Sequence, residues 1–282
     1  MRSGLRILDR RDTEEALEVC RRDLVANLFV AARLHRRVAR GQHRGGELWG
    51  WYERGTLRSL CWSGANLVPV EATEDALEAF AARARHLGRQ CSSLVGPAPA
   101  VLSLWNRLGR YWGPARQVRA HQPLMSLDGP PLVVPDPAVR RGRTEELDLI
   151  IPACVAMFIE EVGYSPVATD GGAVYHGQVT GLVAGGRSFV RMDAGPRGPE
   201  VTFKAELGSV TPEAVQVQGV WVSPYRRGEG LAAPGMAAVV EITRREVAPV
   251  VSLYVNDFNV RAVRAYRRVG FREVGSYATV LF

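Results

Sequence analysis

Lysine is almost absent from this sequence: Lys204 is the only one among 36 basic residues. Codon bias towards arginine explains this imbalance more simply than selection for phosphate recognition. Residues 1–138 hold 20 arginines and 14 acids, net +6, whereas residues 139–282 hold 16 basic and 15 acidic residues, net +1. No aromatic residues interleave with the arginine cluster of residues 33–44. We therefore interpret it as a solvated helix face and rank nucleic-acid binding last among possible functions.

Long apolar runs are missing as well. No stretch approaches the roughly 18 apolar residues that a membrane-spanning helix needs, and Met1–Asp12 lacks the apolar core of a secretion signal. The four cysteines are widely spaced, with no C-x-x-C pattern and no histidine cluster nearby, which favours buried thiols over metal ligands or disulfides. These absences predict a soluble cytoplasmic protein that has no membrane contact and no metal.

A proline-rich segment divides the chain. Asp128–Pro137 holds four prolines in ten residues and cannot be regular helix or central strand. With residues 128–138 as a linker, residues 1–127 and 139–282 show the same order of predicted elements: strand, two helices, hairpin strands, strand, helix, strand, helix, strand. The sequence therefore predicts an α/β protein built from two copies of one fold, the second ending in two short strands, 271–274 and 277–282.

One stretch of the second half points to an anion site. An apolar strand ends at Val222, a turn follows, and Arg227-Gly-Glu-Gly-Leu-Ala232 opens a predicted helix. Glycines between a strand and a helix let several backbone N–H groups point at one spot, where they and the helix N-terminus can hold phosphate oxygens. Because proline lacks an N–H and disfavours helical geometry at Ala233, we expect Pro234 to shift or tighten the start of this helix.

A second segment follows about 30 residues later. After the predicted strand 250–255, the pattern Asn259-x-x-Ala262-x-x-x-Tyr266-x-x-x-Gly270-Phe271 begins. The spacing of Asn259, Ala262 and Tyr266 places them on one face of a helix. Together, Arg227-x-x-Gly230-x-Ala232 and this segment resemble the two cofactor segments of the GNAT (general-control-related N-acetyltransferase) superfamily. The resemblance extends over roughly residues 139–282 and implies two tandem GNAT-like domains, each a mixed twisted sheet flanked by helices.

The resemblance implies an acyl-coenzyme A site, with acetyl-coenzyme A as the expected cofactor. The pantetheine arm would pair with the backbone of Val220–Val222, the N–H near Val222 would stabilise an oxyanion, and Tyr266 would protonate the leaving thiolate. The residues expected to bind the cofactor are Val220, Trp221, Val222, Arg227, Gly228, Glu229, Gly230, Leu231, Ala232, Asn259, Ala262 and Tyr266. Asn259 as a simple helix cap and Tyr266 as a core aromatic are the alternatives.

The first half lacks the features of this site. At the point that matches the anion loop, Asn66–Asp75 contains no glycine and carries three acids, which would repel a pyrophosphate. We therefore expect a degenerate N-terminal copy that shapes the structure or the substrate site.

The general base is open at this stage. Many family members carry a glutamate on the strand before the loop, but this strand offers Gln216 and Gln218, which can hold water and cannot accept a proton. The other candidates are Glu160, Glu161, Glu206 and His176. Glu161, Tyr164 and Gln218 are the predicted acceptor-binding residues.

The sequence thus predicts an N-acetyltransferase that transfers an acyl group to a primary amine by direct attack. Tandem copies with a degenerate first half also occur in mycothiol synthase-like members of the superfamily, so a small-molecule amine is the first acceptor class and a protein amine the second. The alternative is a catalytically idle acyl-coenzyme A binding module. Acyl chain length and oligomeric state do not follow from the sequence.

Overall fold

The computed structural model of the protein describes residues 3–40, 45–168, 170–196 and 198–282. By backbone contacts the chain divides into two compact units. The first unit comprises residues 1–125, 254–259 and 273–282, and the second comprises residues 126–253 and 260–272.

The first unit contains four helices and seven strands among the described residues. The helices are α1 (Thr13–Arg21), α2 (Leu24–Arg40), α3 (Glu74–Leu87) and α4 (Ala98–Trp112). The strands are β1 (Gly4–Leu8), β2 (Gly46–Glu53), β3 (Thr56–Gly64), β4 (Asn66–Val70), β5 (Ser93–Pro97), β6 (Gln117–Leu127) and, from the end of the chain, β12 (Arg272–Leu281).

The strand order in this unit is β1-β2-β3-β4-β5-β12-β6. β4 and β5 are parallel, whereas β1 to β4 pair as an antiparallel meander. Two apolar clusters fill the unit: α1 and α2 pack around Leu60 and Val70, and α3 and α4 pack around Cys61 and Phe80. Leu60 and Cys61 are neighbours on β3 and point to opposite faces. The sheet is therefore covered by helices on both sides.

The second unit has the same kind of layers. Its helices are α5 (Leu147–Val162), α6 (Ala173–Ala184), α7 (Ala232–Glu246) and α8 (Val260–Val269). Its strands are β7 (Arg140–Arg141), β8 (Ser188–Gly195), β9 (Gly198–Val210), β10 (Ala214–Val222) and β11 (Val250–Tyr254). Across the described residues of both units, no helix combines the length and apolarity needed to cross a bilayer.

The sheet of the second unit runs β11-β10-β9-β8-β7, with β10 and β11 parallel and the other neighbours antiparallel. Two β9 residues that are three positions apart, and so point to opposite faces, show which helices cover which face. The Phe203 ring lies 2.8 Å from where a Cβ on Gly235 of α7 would stand. Glu206, on the opposite face, meets Cys154 of α5. Helix α7 therefore covers one face of this sheet and α5 the other.

The end of the chain differs from the sequence-based prediction. The two predicted strands 271–274 and 277–282 are one continuous strand, β12, whose residues Tyr277–Leu281 pair antiparallel with β5. The final ten residues thus belong to the first unit. The predicted strand 139–143 is also shorter, Arg140–Arg141, and the proline-rich segment before it has no regular structure.

Candidate active site

Strands β10 and β11 of the second unit pair at their beginnings and then part. Three parallel pairs join them, from Ala214 with Val250 to Gln216 with Ser252, and among the described residues the pairing stops there. β10 continues to Val222. Its last six residues therefore have one edge that β11 does not cover.

Val222 turns its peptide groups to this open edge. Ser223 N–H donates to Thr202 O across 3.0 Å on β9, so Ser223 and Thr202 form a hydrogen-bonded pair. In an antiparallel ladder the next pair, Val222 with Phe203, is then a non-hydrogen-bonded pair. Consistent with this, Arg227 Nε donates to Val222 O from outside the ladder, at 3.1 Å. The Val222 N–H thus points away from β9.

The glycine turn has the geometry that its sequence predicts. Gly228 and Gly230 have φ angles of +90° and +81°, and a Cβ at either position would meet nothing within 4 Å. Both glycines are thus required by the backbone conformation and border open space. Helix α7 begins at Ala232, and Leu231 before it has no side-chain cap bond.

Pro234 does not displace the start of α7, and the expectation of a shifted helix was wrong. Gly235 N–H donates to Leu231 O at 3.0 Å, a regular first α-helical bond. Pro234 lies within the first turn, where an N–H has no partner inside the helix. The proline therefore costs the helix no bond, although it removes one N–H from the N-terminal set.

Helix α8 buries Tyr266. Its side chain is 7% exposed, and its ring packs edge-on against Phe271 at 6.1 Å between centroids. Burial raises the pKa of Tyr266 far above its ordinary value, and the nearby Glu161 carboxylate raises it further. The phenol is therefore neutral at physiological pH and keeps a proton to donate.

The other two residues of the α8 pattern differ in position. Ala262 lies in the first turn of α8, half-buried. Asn259 directly precedes the helix, is exposed and is grouped with the first unit, and its backbone N–H donates to Asn256 O at 2.9 Å.

The C-terminal end of helix α5 contacts the glycine turn. Glu160 accepts a hydrogen bond from Trp221 Nε1 at 3.1 Å and pairs with Arg227 Nη2 at 2.5 Å. Glu161 is exposed, and Tyr164 lies just beyond the helix with its ring edge-on to Phe158. These residues combine exposed carboxylates with aromatic rings. Such a surface can bind an organic amine through its charge and its carbon skeleton.

A buried polar cluster lies beside β10, and the sequence predicts only part of it. Lys204 and Glu206 on β9 form an ion pair at 2.7 Å, and Cys154 of α5 donates to the same Glu206 oxygen at 3.3 Å. Glu206 was one of the base candidates, but its pairing with Lys204 was not foreseen. The available signal was that Lys204 is the only lysine in the chain.

The two strand glutamines occupy different surroundings. Gln218 is exposed, and its side chain folds over Gly208, taking the place where a Cβ of that glycine would be. Gln216 is 5% exposed, and among the described residues its Nε2 has no hydrogen-bond partner. Gln216 is the last β10 residue paired with β11, so this buried donor lies where the strands part.

The corresponding part of the first unit is closed. A Cβ on Gly96 of β5 would stand 3.5 Å from Pro69 O and 3.7 Å from Val68 of β4, so these strands stay close. Pro69 has no N–H to offer a ligand. After β4, the Thr73 hydroxyl accepts from Ala76 N–H and caps α3. This part of the first unit therefore differs in geometry from the glycine turn of the second unit.

The second unit is an α/β unit in which two parallel strands part next to a glycine turn. This combination is typical of acyltransferase-like folds. Residues 157–271 match the Acetyltransferase (GNAT) family, and residues 46–150 match a Domain of unknown function (DUF4081). The first match includes both cofactor-like segments. No curated protein matches the chain.

Solved structures resemble the whole chain. An acetyltransferase of the GNAT family from Colwellia psychrerythraea has a TM-score of 0.56 at 11% identity, covering 99% of both chains. A GCN5-related N-acetyltransferase from Sphaerobacter thermophilus has 0.59 at 17%, covering 98% of this chain and 94% of the other. A tandem GNAT protein from the clavulanic acid biosynthesis pathway has 0.55 at 13%, covering 99% and 98%.

At these identities the similarity to solved structures concerns the fold. The C-terminal half carries a match to the GNAT acetyltransferase family, and the fold of the chain is similar to that of solved GNAT structures, one of which is a tandem GNAT protein. This fold supports acyl-coenzyme A-dependent acyl transfer as its general reaction.

Proposed function

We propose that the second unit binds acetyl-coenzyme A and transfers its acetyl group to a primary amine by direct attack. The observation that carries this proposal is the uncovered edge of β10, which ends at Val222 immediately before the glycine turn. Backbone groups at an open strand edge need partners, and an extended ligand with amide groups can provide them.

The residues fit a diphosphate at the turn. Gly228 and Gly230 leave open space beside the backbone, and α7 starts at Ala232, where the first N–H groups of a helix have no partner within the helix. Arg227 is 42% exposed, so its guanidinium can reach a phosphate. The buried, unpartnered Nε2 of Gln216 gives the arm a donor where the strands part. We assign Arg227 to Ala232 to the diphosphate and Val220 to Val222 to the arm.

When bound, acetyl-coenzyme A supplies an activated acetyl thioester. The Val222 N–H donates a hydrogen bond at the edge where negative charge would develop on the carbonyl oxygen. Tyr266 holds a proton for the sulfur that leaves, because its raised pKa keeps the phenol neutral. A C–N bond forms, the C–S bond breaks, and the proton of the attacking amine goes to a base or to water.

The acceptor amine would lie on the α5 side of the sheet. The exposed Glu161 can attract a protonated amine, and Tyr164 and Gln218 offer contacts to the group that carries it. A small-molecule amine fits these contacts first, and a protein amine is the second acceptor class.

Calorimetry with acetyl-coenzyme A tests the binding step. We expect one molecule per chain, because the first unit lacks the turn. Gly230→Val should abolish binding, since a β-branched residue is strained at φ +81°. Gly88→Val is the matched control: Gly88 has a φ of +72° and similarly open surroundings, but it ends α3 in the first unit. Absence of binding by the unaltered protein would refute the proposal.

A thiol-release assay over a panel of amines tests the transfer step. All four cysteines are buried, and burial raises the pKa of Cys154 to about 12, so the protein contributes little background to a thiol reagent. Release that depends on both acetyl-coenzyme A and an amine is the expected result.

A second candidate function is an idle acyl-coenzyme A binding module. It is favoured by one observation: β10 carries Gln216 and Gln218, neither of which can take a proton. Binding without amine-dependent thiol release would support this candidate.

A further inference from the structure

Lys204 is fully buried in a protein that otherwise uses arginine. Its side chain is 0% exposed and that of its partner Glu206 is 7% exposed. The ammonium also donates to the Gly219 carbonyl of β10 at 3.0 Å. Burying a charge is costly unless it is paired and hydrogen-bonded, and both conditions are met here.

The pair lies beneath a β-bulge. Gln218 faces Glu206 and Trp221 faces Lys204, so two residues of β10, Gly219 and Val220, oppose the single β9 residue between them. Gly219 has a φ of +60°, as expected of a glycine that opens such a bulge. A Cβ on Gly219 would stand 3.1 Å from Glu206 Oε2 and 3.2 Å from Lys204 Nζ. The ion pair is therefore packed directly against the bulged backbone.

The bulge determines the direction of the Val222 N–H. Successive residues of a strand point their peptide groups to opposite edges. If the bulge were lost and the register after it slipped by one residue, the Val222 N–H would turn towards β9 and leave the open edge. Whatever fixes Gly219 therefore fixes the orientation of the proposed oxyanion donor.

A compact ammonium suits this position better than a guanidinium. The Lys204 ammonium has three N–H donors and three partners, namely Glu206, the Gly219 carbonyl and the Cys154 sulfur, whereas arginine carries five donors in a rigid planar fork. A chain with 35 arginines nevertheless keeps lysine here. Buried ion pairs contribute little to stability on average, but they can specify a register.

We propose that Lys204, held by Glu206, is a positioning residue for acyl transfer: it anchors the Gly219 carbonyl and thereby directs the Val222 N–H to the open edge of β10. The proposal rests on the proposed function. It assigns Lys204 no contact with the substrate and no proton transfer.

The test uses the full chain with Lys204→Met and Glu206→Gln combined, which removes the anchor without leaving an unpaired buried charge. We expect kcat to fall about 10- to 100-fold while the Kd for acetyl-coenzyme A changes little. Infrared spectra of bound acetyl-coenzyme A with a ¹³C-labelled thioester carbonyl provide a readout that needs no turnover. The stretch should shift to lower frequency in the unaltered protein, and the shift should be largely lost in the variant.

Cys154→Ala is the matched control, because it removes a contact to both Glu206 and Lys204 and leaves the Lys204 bond to Gly219 intact. Its carbonyl shift should equal that of the unaltered protein. If the first double variant does not fold, Lys204→Gln with Glu206→Gln replaces it, since two amides can bond to each other while the shorter side chain falls short of Gly219. The same loss of the carbonyl shift is expected.

The two proposals fail in different ways. A folded double variant with an unchanged carbonyl shift and kcat overturns the role of Lys204 and leaves the proposed function intact. Failure of the unaltered protein to bind acetyl-coenzyme A, or to shift its carbonyl stretch, overturns the proposed function and this inference with it.

Discussion

Arg227 and Glu160 form an ion pair, with Nη2 and Oε2 2.5 Å apart, that links the glycine turn to the last turn of α5. The same guanidinium donates from Nε to Val222 O. Two of its nitrogens, Nε and Nη2, are thus bound to protein groups beside the proposed diphosphate site. Both contacts limit the rotamers of Arg227, and a pre-ordered arginine loses less entropy when it binds a phosphate.

Arg227→Ala should weaken acetyl-coenzyme A binding by about 10- to 100-fold, because a charge-assisted hydrogen bond contributes about 1.5–3 kcal/mol. Isothermal calorimetry at two salt concentrations measures the effect, and the salt dependence of Kd should become shallower. Arg245→Ala is the control, because Arg245 lies exposed in the last turn of α7, at the other end of the helix. Equal affinities of the two variants would exclude Arg227 from the site.

Tyr266→Phe separates an enzyme from an idle binder. The change removes only the hydroxyl, so Kd for acetyl-coenzyme A should change little while kcat falls about 100-fold or more. Because burial raises the pKa of Tyr266 above its ordinary value of about 10, the phenol of the folded protein stays protonated through pH 10. Loss of this proton should therefore cause no decline of the wild-type rate below about pH 10.

The control for this substitution is Tyr111→Phe, an exposed tyrosine of α4 in the first unit. Its turnover should match that of the unaltered protein. If Tyr266→Phe retains full turnover, the phenol is a core aromatic, which is the alternative interpretation of the sequence.

The parts of the site that the sequence predicts are local in the chain. The glycine turn between Val222 and Ala232 requires positive φ angles that few other residues accept, so the residue types reveal the geometry. The face of α8 that buries Tyr266 follows in the same way from helical spacing. Each of these features depends on residues that are close together in the sequence.

The remaining features depend on pairings between distant residues. Strand β12 pairs with β5, so that Val280 lies opposite Leu94, and no short pattern in the chain specifies that partner. The bulge at Gly219 depends on the register between β9 and β10, and the Lys204 pair lies on the neighbouring strand. Tertiary context decides such pairings, and local propensity and residue spacing carry no information about the distant partner.

Gly235→Ala should destabilise the second unit by about 1–3 kcal/mol, the usual cost of overpacking. A Cβ at Gly235 would lie 2.8 Å from the Phe203 ring, so α7 would have to move away from β9. Urea unfolding at neutral pH measures the change in the free energy of unfolding.

Gly177→Ala is the matched control for that experiment. Gly177 is exposed in the interior of α6, and a Cβ there would meet nothing within 4 Å. This substitution should stabilise the protein by about 0.5–1 kcal/mol, because alanine has the higher helix propensity. Destabilisation of similar size by both changes would contradict the close contact between α7 and β9.

Glu146 should make the free energy of unfolding of the second unit depend on pH in the acid range. Its side chain is 12% exposed and pairs with Arg140 at 2.6 Å and with Arg143 at 3.0 Å. The hydrogen bond from Arg140, with a smaller contribution from Arg143, lowers the pKa of Glu146 to about 2. A carboxyl with a lowered pKa stabilises the folded state above its unfolded value of about 4.3. This stabilisation is lost as the pH falls from there towards 2.

Glu146→Gln should therefore reduce the free energy of unfolding by about 1–2 kcal/mol at pH 7, a discounted figure because Arg143 is 67% exposed. The difference from the unaltered protein should shrink as the pH falls below about 4.3 and vanish near pH 2. Urea unfolding from pH 7 down to the lowest pH at which the protein stays folded measures it. Glu213→Gln, at an exposed glutamate between β9 and β10, is the control for the loss of one surface carboxylate. A Glu146→Gln difference that stays constant with pH would mean that the carboxylate charge does not stabilise this unit.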